Sequence, residues 1–323
     1  MMRYLNSTIL CTAMAGLLMA CSPDAGNEAN DVTEAEKAES ATTPRADTMD
    51  DAQSQEAQAP SSITVTRAGN ADGRTLVLIP GLASSDDVWD GTVDAFSDYD
   101  LRVVQVAGFA GAKPVDNISA EKISDDISNH LREKPGNNTV LIGHSLGGFV
   151  ALKAGLDDAA QLDELIIVDS LPYLAGLYMP EATPEQAASM SAQMTQQLAS
   201  LPRAQFDAQQ QAGLARLSNN AEAMPELAEW GKTSDQQTVA TMMGELMGTD
   251  MRNAMSDLTL ETTVLIPHSD VMGVSLEELE NLYAAQYESA PNVTLKVIED
   301  SFHFIMLDQP EAFYAAVREE VAE

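Results

Sequence analysis

Between Val140 and Gly155 the chain reads VLIGHSLGGFVALKAG. An apolar run ends at a glycine, a serine follows two residues on, and after Leu146 two more glycines open a stretch of helical composition. A strand, a sharp turn and a helix in that order put Ser145 inside Gly-x-Ser-x-Gly, from Gly143 to Gly147, which is the nucleophile-elbow pattern. Such a turn forces strained backbone angles on the serine. Side chains at the two flanking glycines would strike the neighbouring strand and helix. The turn lifts the hydroxyl above the edge of a sheet, and it sets the Leu146 N–H at a helix start, where it faces an oxyanion.

The rest of the chain supplies the sheet this turn requires. Residues 61–69 alternate as a strand does, and RTLVLIPG (74–81) is a continuous apolar strand of the kind buried on both faces. Strands follow in DLRVVQVAG, NTVLIG and LDELIIVDS, and again in TTVLIP and NVTLKVIED. Helical patterns separate them. In SAEKISDDISNHLREKPG, Ile123, Ile127 and Leu131 recur every four residues before a Pro-Gly stop. Strands alternating with helices predict a mostly parallel central sheet with helices on both faces, an α/β fold.

Residues 171–258 break the rhythm. Thr183 to Gln186 has the capping-box pattern, with Pro184 in the first turn, and Met190, Met194 and Leu198 share one helix face. A later helix carries Met243, Met247, Met251 and Met255, with Gly248 as a possible break. The stretch is read as an all-helical insertion. Methionines four apart are read as a flexible apolar face. The competing reading of the spaced thioethers is a Cu(I) site.

The elbow with its flanking elements resembles the α/β-hydrolase superfamily, specifically its serine hydrolases with a helical cap, over roughly Ile63 to the C-terminus. The resemblance implies an α/β-hydrolase core at 61–170 and 259–323, and a helical cap at 171–258. It implies a base in the loop before the C-terminal helix, which is His303 in EDSFHFIMLDQP. Of the other histidines, His144 lies in the elbow pointing away from the serine, His130 near the end of a polar helix, and His268 at a strand end. The family's chain order puts an acid between serine and histidine. Asp270, in the turn after TTVLIP, is the preferred position, and Asp169 in LIIVDS is the alternative. Backbone N–H groups of Leu82, after Pro80-Gly81, and Leu146 form the implied oxyanion hole. The implied chemistry is hydrolysis of a small-molecule ester through an acyl-enzyme intermediate, with no metal or organic cofactor. Thioester, lactone or carbon–carbon bond hydrolysis on the same fold is the alternative, as is a non-catalytic envelope binding protein. Serine at the elbow argues against a dehalogenase or an epoxide hydrolase of this fold.

The first residues, MMRYLNSTILCTAMAGLLMAC, combine one arginine, a short apolar run and a small residue before Cys21. This is the layout of a secretory signal, too short and broken to span a bilayer. LMAC resembles a bacterial lipobox, which implies a lipidated Cys21 after a signal peptide at 1–21. Ser22 after the cysteine implies the outer membrane of a Gram-negative cell, on its periplasmic face. Residues 22–60 hold almost no large apolar side chains and read as a disordered acidic tether. Only two cysteines occur in the chain, one of them inside the signal, so the mature protein has no internal pair to oxidise. With 50 acidic against 17 basic residues the net charge is −33, which repels nucleic acid and anionic lipid heads. The oligomeric state is not fixed by any of these features.

Overall fold

Seven strands form one sheet in the order β1-β3-β2-β4-β5-β6-β7. They are β1 (Ile63–Gly69), β2 (Thr75–Ile79), β3 (Asp100–Val106), β4 (Val140–His144), β5 (Glu164–Val168), β6 (Glu261–His268) and β7 (Val293–Glu299). Only β1 runs antiparallel, against β3. All other neighbours are parallel. The computed structural model describes residues 60–179 and 182–322. The signal peptide at 1–21, the lipidated Cys21 and all but the last residue of the acidic tether lie outside the described residues. Ser61 to the C-terminus belongs to one compact unit. Among the described residues no helix is long and apolar enough to cross a membrane.

The central strands are apolar throughout because both their faces are covered. Side chains alternate along a strand, so Val77, Ile79, Leu141, Leu165 and Ile167 enter the core on one face. Leu76, Leu78, Val140, Ile142, Ile166 and Val168 enter the core on the other. The helices are α1 (Asp90–Ala95), α2 (Ala120–Glu133), α3 (Leu146–Asp157), α4 (Pro184–Ser200), α5 (Arg203–Gly213), α6 (Met224–Thr233), α7 (Gln236–Gly248), α8 (Leu276–Gln286), α9 (Ile305–Asp308) and α10 (Pro310–Val321). In α2 the Ser119 hydroxyl accepts from the Lys122 N–H, and Ile123, Ile127 and Leu131 are buried.

The described residues between β5 and β6 contain α4 to α7 and no strand. Helix α4 begins with the reciprocal capping box of Thr183 and Gln186, with Pro184 in its first turn. Helix α7 lies close on α4. A Cβ on Gly244 would stand 2.0 Å from Thr195 Oγ1, and one on Gly248 would stand 2.3 Å from Ser191 Cβ. The methionine stripe needs correcting here. Helix α7 stops at Gly248, and Thr249 is already extended. Met243 and Met247 pack in the cluster around α4, whereas Met251 and Met255 enter the core beneath the sheet's helices. The four thioethers therefore do not share one helical face, and the single soft-metal surface read from their spacing is not formed.

Candidate active site

Strand β4 ends at His144 and α3 begins at Leu146, so Ser145 alone makes the turn, at φ 54° and ψ −117°. That conformation is disfavoured for a residue with a Cβ and persists where the surroundings over-determine it. The surroundings are visible. Ser145 N–H donates to Val168 O at 2.9 Å, which extends the β4–β5 ladder by one rung. A Cβ on Gly143 would lie 2.2 Å from Gly147 O, and one on Gly147 would lie 2.2 Å from Ile79 O. Both obstacles are backbone, so nothing can rotate away. Gly81 obeys the same limit from the β2 side, since its Cβ would lie 2.8 Å from His144 Nδ1 and 3.2 Å from Ser145 Cβ. Leu146 opens α3, where first-turn N–H groups have no intrahelical partner.

His303 sits in the loop between β7 and α9. Its Nδ1 lies 2.5 Å from Asp169 Oδ2, and both side chains are largely buried. Asp169 is the first residue past β5, at φ 46°, with its N–H on Leu265 O at 2.9 Å. The register explains the proximity: His144 is paired with Val168, so the residues that follow them, Ser145 and Asp169, leave adjacent strands side by side. The second carboxylate oxygen, Oδ1, accepts the Tyr283 O–H from α8. One helical turn later the Tyr287 O–H donates to Ser170 O at 2.8 Å. Burial first, then the charge of Asp169, pushes both phenols well above their usual range, so both remain donors.

The preferred sequence choice of acid, Asp270, is not brought to His303. It is exposed and opens a short 3₁₀ turn, Asp270–Met272, that ends at Gly273 in the left-handed conformation. Strand β6 is longer than β5 and runs on to His268; beyond it Met272 and Val274 line a cavity with Asp169 and His303, while Asp270 between them and the strand is exposed. The alternative, Asp169, occupies the contact instead.

His144, the residue before the serine, lines the same cavity as Ser145 and His303 and is not idle. It is fully buried, and burial, then the neighbouring His303, holds its imidazole well below the ordinary range and so neutral. Its Nε2 lies 3.0 Å from His303 O, which fits a neutral ring donating there and fixing the loop's backbone. The His144 and His303 ring centroids are 4.5 Å apart. Asp308 secures the same loop. Its Oδ2 accepts the Phe302 N–H at 2.8 Å, and its Oδ1 accepts the Ser218 hydroxyl and the Asn219 N–H, the latter at 3.1 Å. Sequence reading missed Tyr283, Asp308 and this use of His144. The four-residue spacing of Tyr283 and Tyr287 was a visible signal, but periodicity does not reveal where a hydroxyl ends.

Ser145, Asp169 and His303 line one cavity of about 90 Å³ together with Leu82. Its far wall comes from the helical insertion, as Leu217, Met243 and Leu246, with Gln210 as a polar exception. A second cavity of about 180 Å³ shares Leu82, Gln210, Leu217 and Phe304 with the first. Leu82 thus reaches the serine's cavity, and Leu146 adjoins the serine in the chain. Among the described residues no group of three or more His, Cys, Asp or Glu side chains is arranged to hold a metal ion.

Comparison with known proteins agrees with this picture. A model of the alpha/beta hydrolase family matches residues 76–316. A pimeloyl-[acyl-carrier protein] methyl ester esterase of Aliivibrio fischeri (strain MJ11) is 25% identical over 259 residues, covering 76% of this chain and 93% of that protein. One of the same name from Nitrosomonas europaea is 32% identical over 112 residues, 34% of this chain and 42% of the relative, so that match spans less than half of the relative's length. A thermophilic esterase from Thermogutta terrifontis has the same fold, with a TM-score of 0.64 at 21% identity, over 80% of this chain and 93% of that one.

Proposed function

The chain belongs to the alpha/beta hydrolase family, and on that premise we propose that it hydrolyses carboxylic esters through an acyl-Ser145 intermediate. The observation that carries the reading is the 2.5 Å contact of His303 Nδ1 with Asp169, in a cavity both share with Ser145. A serine hydroxyl needs a base, and a base needs its tautomer fixed. Asp169 accepts a hydrogen bond from the Nδ1–H, which keeps the proton on Nδ1 and leaves Nε2 free to take one from Ser145.

In acylation, His303 Nε2 takes the Ser145 proton as Oγ attacks the ester carbonyl. The carbonyl oxygen becomes an oxyanion held by the Leu82 and Leu146 N–H groups. Loss of one such donor costs about 3–4 kcal/mol of transition-state stabilisation. Collapse breaks the bond to the alkoxy oxygen, which leaves as an alcohol with the proton from His303. A water then gives a proton to His303 and its oxygen to the acyl carbon, and Ser145 departs with that proton as the acid is released. Asp169 stabilises the imidazolium in each half without taking its proton.

The apolar walls favour small to medium acyl groups. The esterase names of the sequence relatives support an ester over a thioester, a lactone or a carbon–carbon bond. Residues 171–258 act as the cap over a core at 61–170 and 259–323. The sequence of residues 1–60 supports export, lipidation at Cys21 and a periplasmic position on the outer membrane. Incorporation of labelled palmitate, lost in Cys21→Ser, tests the anchor.

The enzymatic reading is tested with chromogenic esters of rising chain length and a fluorophosphonate probe. We expect turnover and labelling of Ser145, both abolished in Ser145→Ala. Folded protein that neither turns over any ester nor takes the label would end the reading.

A further inference from the structure

We propose that Tyr283 is a positioning residue of this site, one that holds the Asp169 carboxylate with a single oxygen turned to His303 and so makes the end of β5 a working place for the acid. The inference rests on the acyl-serine reading above.

A carboxylate on one methylene can turn about two single bonds, and each turn changes which oxygen meets the imidazole. Here both oxygens are occupied: Oδ2 faces His303 Nδ1 at 2.5 Å, and Oδ1 accepts the Tyr283 O–H. Tyr283 is 3% exposed, and Asp169 is equally buried, so water does not compete for that bond. A buried phenol and a buried carboxylate each require a partner, and each finds the other. The clamp has two jaws on one helix. Tyr287, four residues on at the C-cap of α8, donates to Ser170 O at 2.8 Å. Together they secure the turn after β5, where Asp169 takes a left-handed φ of 46° that a side-chain-bearing residue keeps only under constraint. The same stretch that leaves Asp270 exposed leads into α8, which buries Tyr283.

The hydroxyl does more than fill space. By donating to Oδ1 it shares the charge that Asp169 presents to His303. The phenol stays protonated across any working pH, since burial and then Asp169 raise it far above its usual range. The other titratable groups facing the pair are His144, held neutral by burial, and Tyr287, held protonated by burial.

The test is Tyr283→Phe, which keeps the ring and removes the donor, assayed with a chromogenic ester that the wild type turns over. We expect kcat to fall on the order of tenfold or more, as for a displaced catalytic group, with KM within about threefold. We expect the acid limb of the kcat/KM profile to move to higher pH, because Asp169 then presents undivided charge to His303. Tyr287→Phe, which spares the carboxylate, should leave that limb in place. Wild-type kcat in Tyr283→Phe overturns the proposal. So does an acid limb that stays put, or one that moves equally in Tyr287→Phe, since either outcome reduces Tyr283 to packing. Should Tyr283→Phe fail to fold, 3-fluorotyrosine at position 283, a stronger donor of nearly the same shape, decides. The acid limb should then move to lower pH, and an unmoved limb overturns the proposal. Fluorophosphonate labelling of the wild type separates the two levels. A labelled Ser145 with unmoved limbs removes Tyr283 alone, whereas an unlabelled wild type removes the triad and this inference with it.

Discussion

Asp169 leaves β5 beside the residue that leaves β4, and that adjacency, together with a left-handed backbone angle, turns its carboxylate toward His303. Asp270 has the chain position but not the contact, because it stands exposed at the start of its turn. The two aspartates make opposite predictions. In Asp169→Asn the amide can offer an N–H where His303 Nδ1 needs an acceptor, which fixes the wrong tautomer. We expect kcat to drop about 10³–10⁴-fold, as for the buried acid of a serine triad. In Asp270→Asn we expect kcat within about threefold of wild type. Steady-state kinetics on one chromogenic ester checks both, and a reversed ranking would return the acid to the end of β6.

At the scale of elements, the loop that carries His303 is sewn to the helical insertion. Asp308 ties its own loop at Phe302 and the insertion at Ser218 and Asn219, and Phe304 N–H adds a bond to Leu217 O at 2.9 Å. Removing the carboxylate in Asp308→Ala strands several donors at once. A stranded donor costs on the order of 1–3 kcal/mol, so we expect a loss of about 2–4 kcal/mol. We also expect a melting temperature lower by several degrees and a lowered kcat, read by thermal unfolding and by assay. An unchanged melt would mean that loop and insertion hold together without it. Elements of this kind differ in how legible they are in the chain. The central strands were legible because parallel strands buried on both faces are nearly unbroken apolar runs, as in TLVLI and ELIIV, and the antiparallel edge strand β1 was legible by its alternation. The elbow was legible because backbone crowding leaves glycine no substitute at positions 143 and 147. The acid was not, since the choice between Asp169 and Asp270 depends on how far β6 runs and on what α8 turns inward. The methionine stripe misled because a four-residue period continues through Thr249, where the helix does not. Asp308 carried no signal of its tie to the insertion, because its partners there lie about 90 residues away.

For the molecule as a whole, charge sets the conditions under which the site is used. The chain carries a net charge of −33, and self-repulsion of that size weakens as salt screens it. Burial sets a different rule for Glu164. Glu164 opens β5, at the opposite end of the strand from Asp169, and is 8% exposed. Burial, aided by Glu320 and Glu261 and opposed by Arg74, pushes it up from 4.5 to about 7. Its Oε2 still accepts from Arg74 Nη2 at 2.9 Å. A carboxyl whose folded value is raised binds its proton more tightly in the native state. Its contribution is therefore full below about pH 4.5, declines as pH rises to about 7, and stays lost above that. At roughly 1.4 kcal/mol per unit the full loss is on the order of 3–4 kcal/mol, of which about 2 falls between pH 5 and pH 8. Glu164→Gln keeps the shape and cannot ionise. We expect its stability relative to wild type to improve by about 2 kcal/mol between pH 5 and pH 8, read from urea unfolding at each pH. Salt isolates the effect, because at about 1 M the screening length is near 3 Å and exposed charges cease to matter, whereas a buried carboxyl keeps its cost. A difference between variant and wild type that persists in high salt assigns the slope to Glu164. One that vanishes there would assign it to the acidic surface.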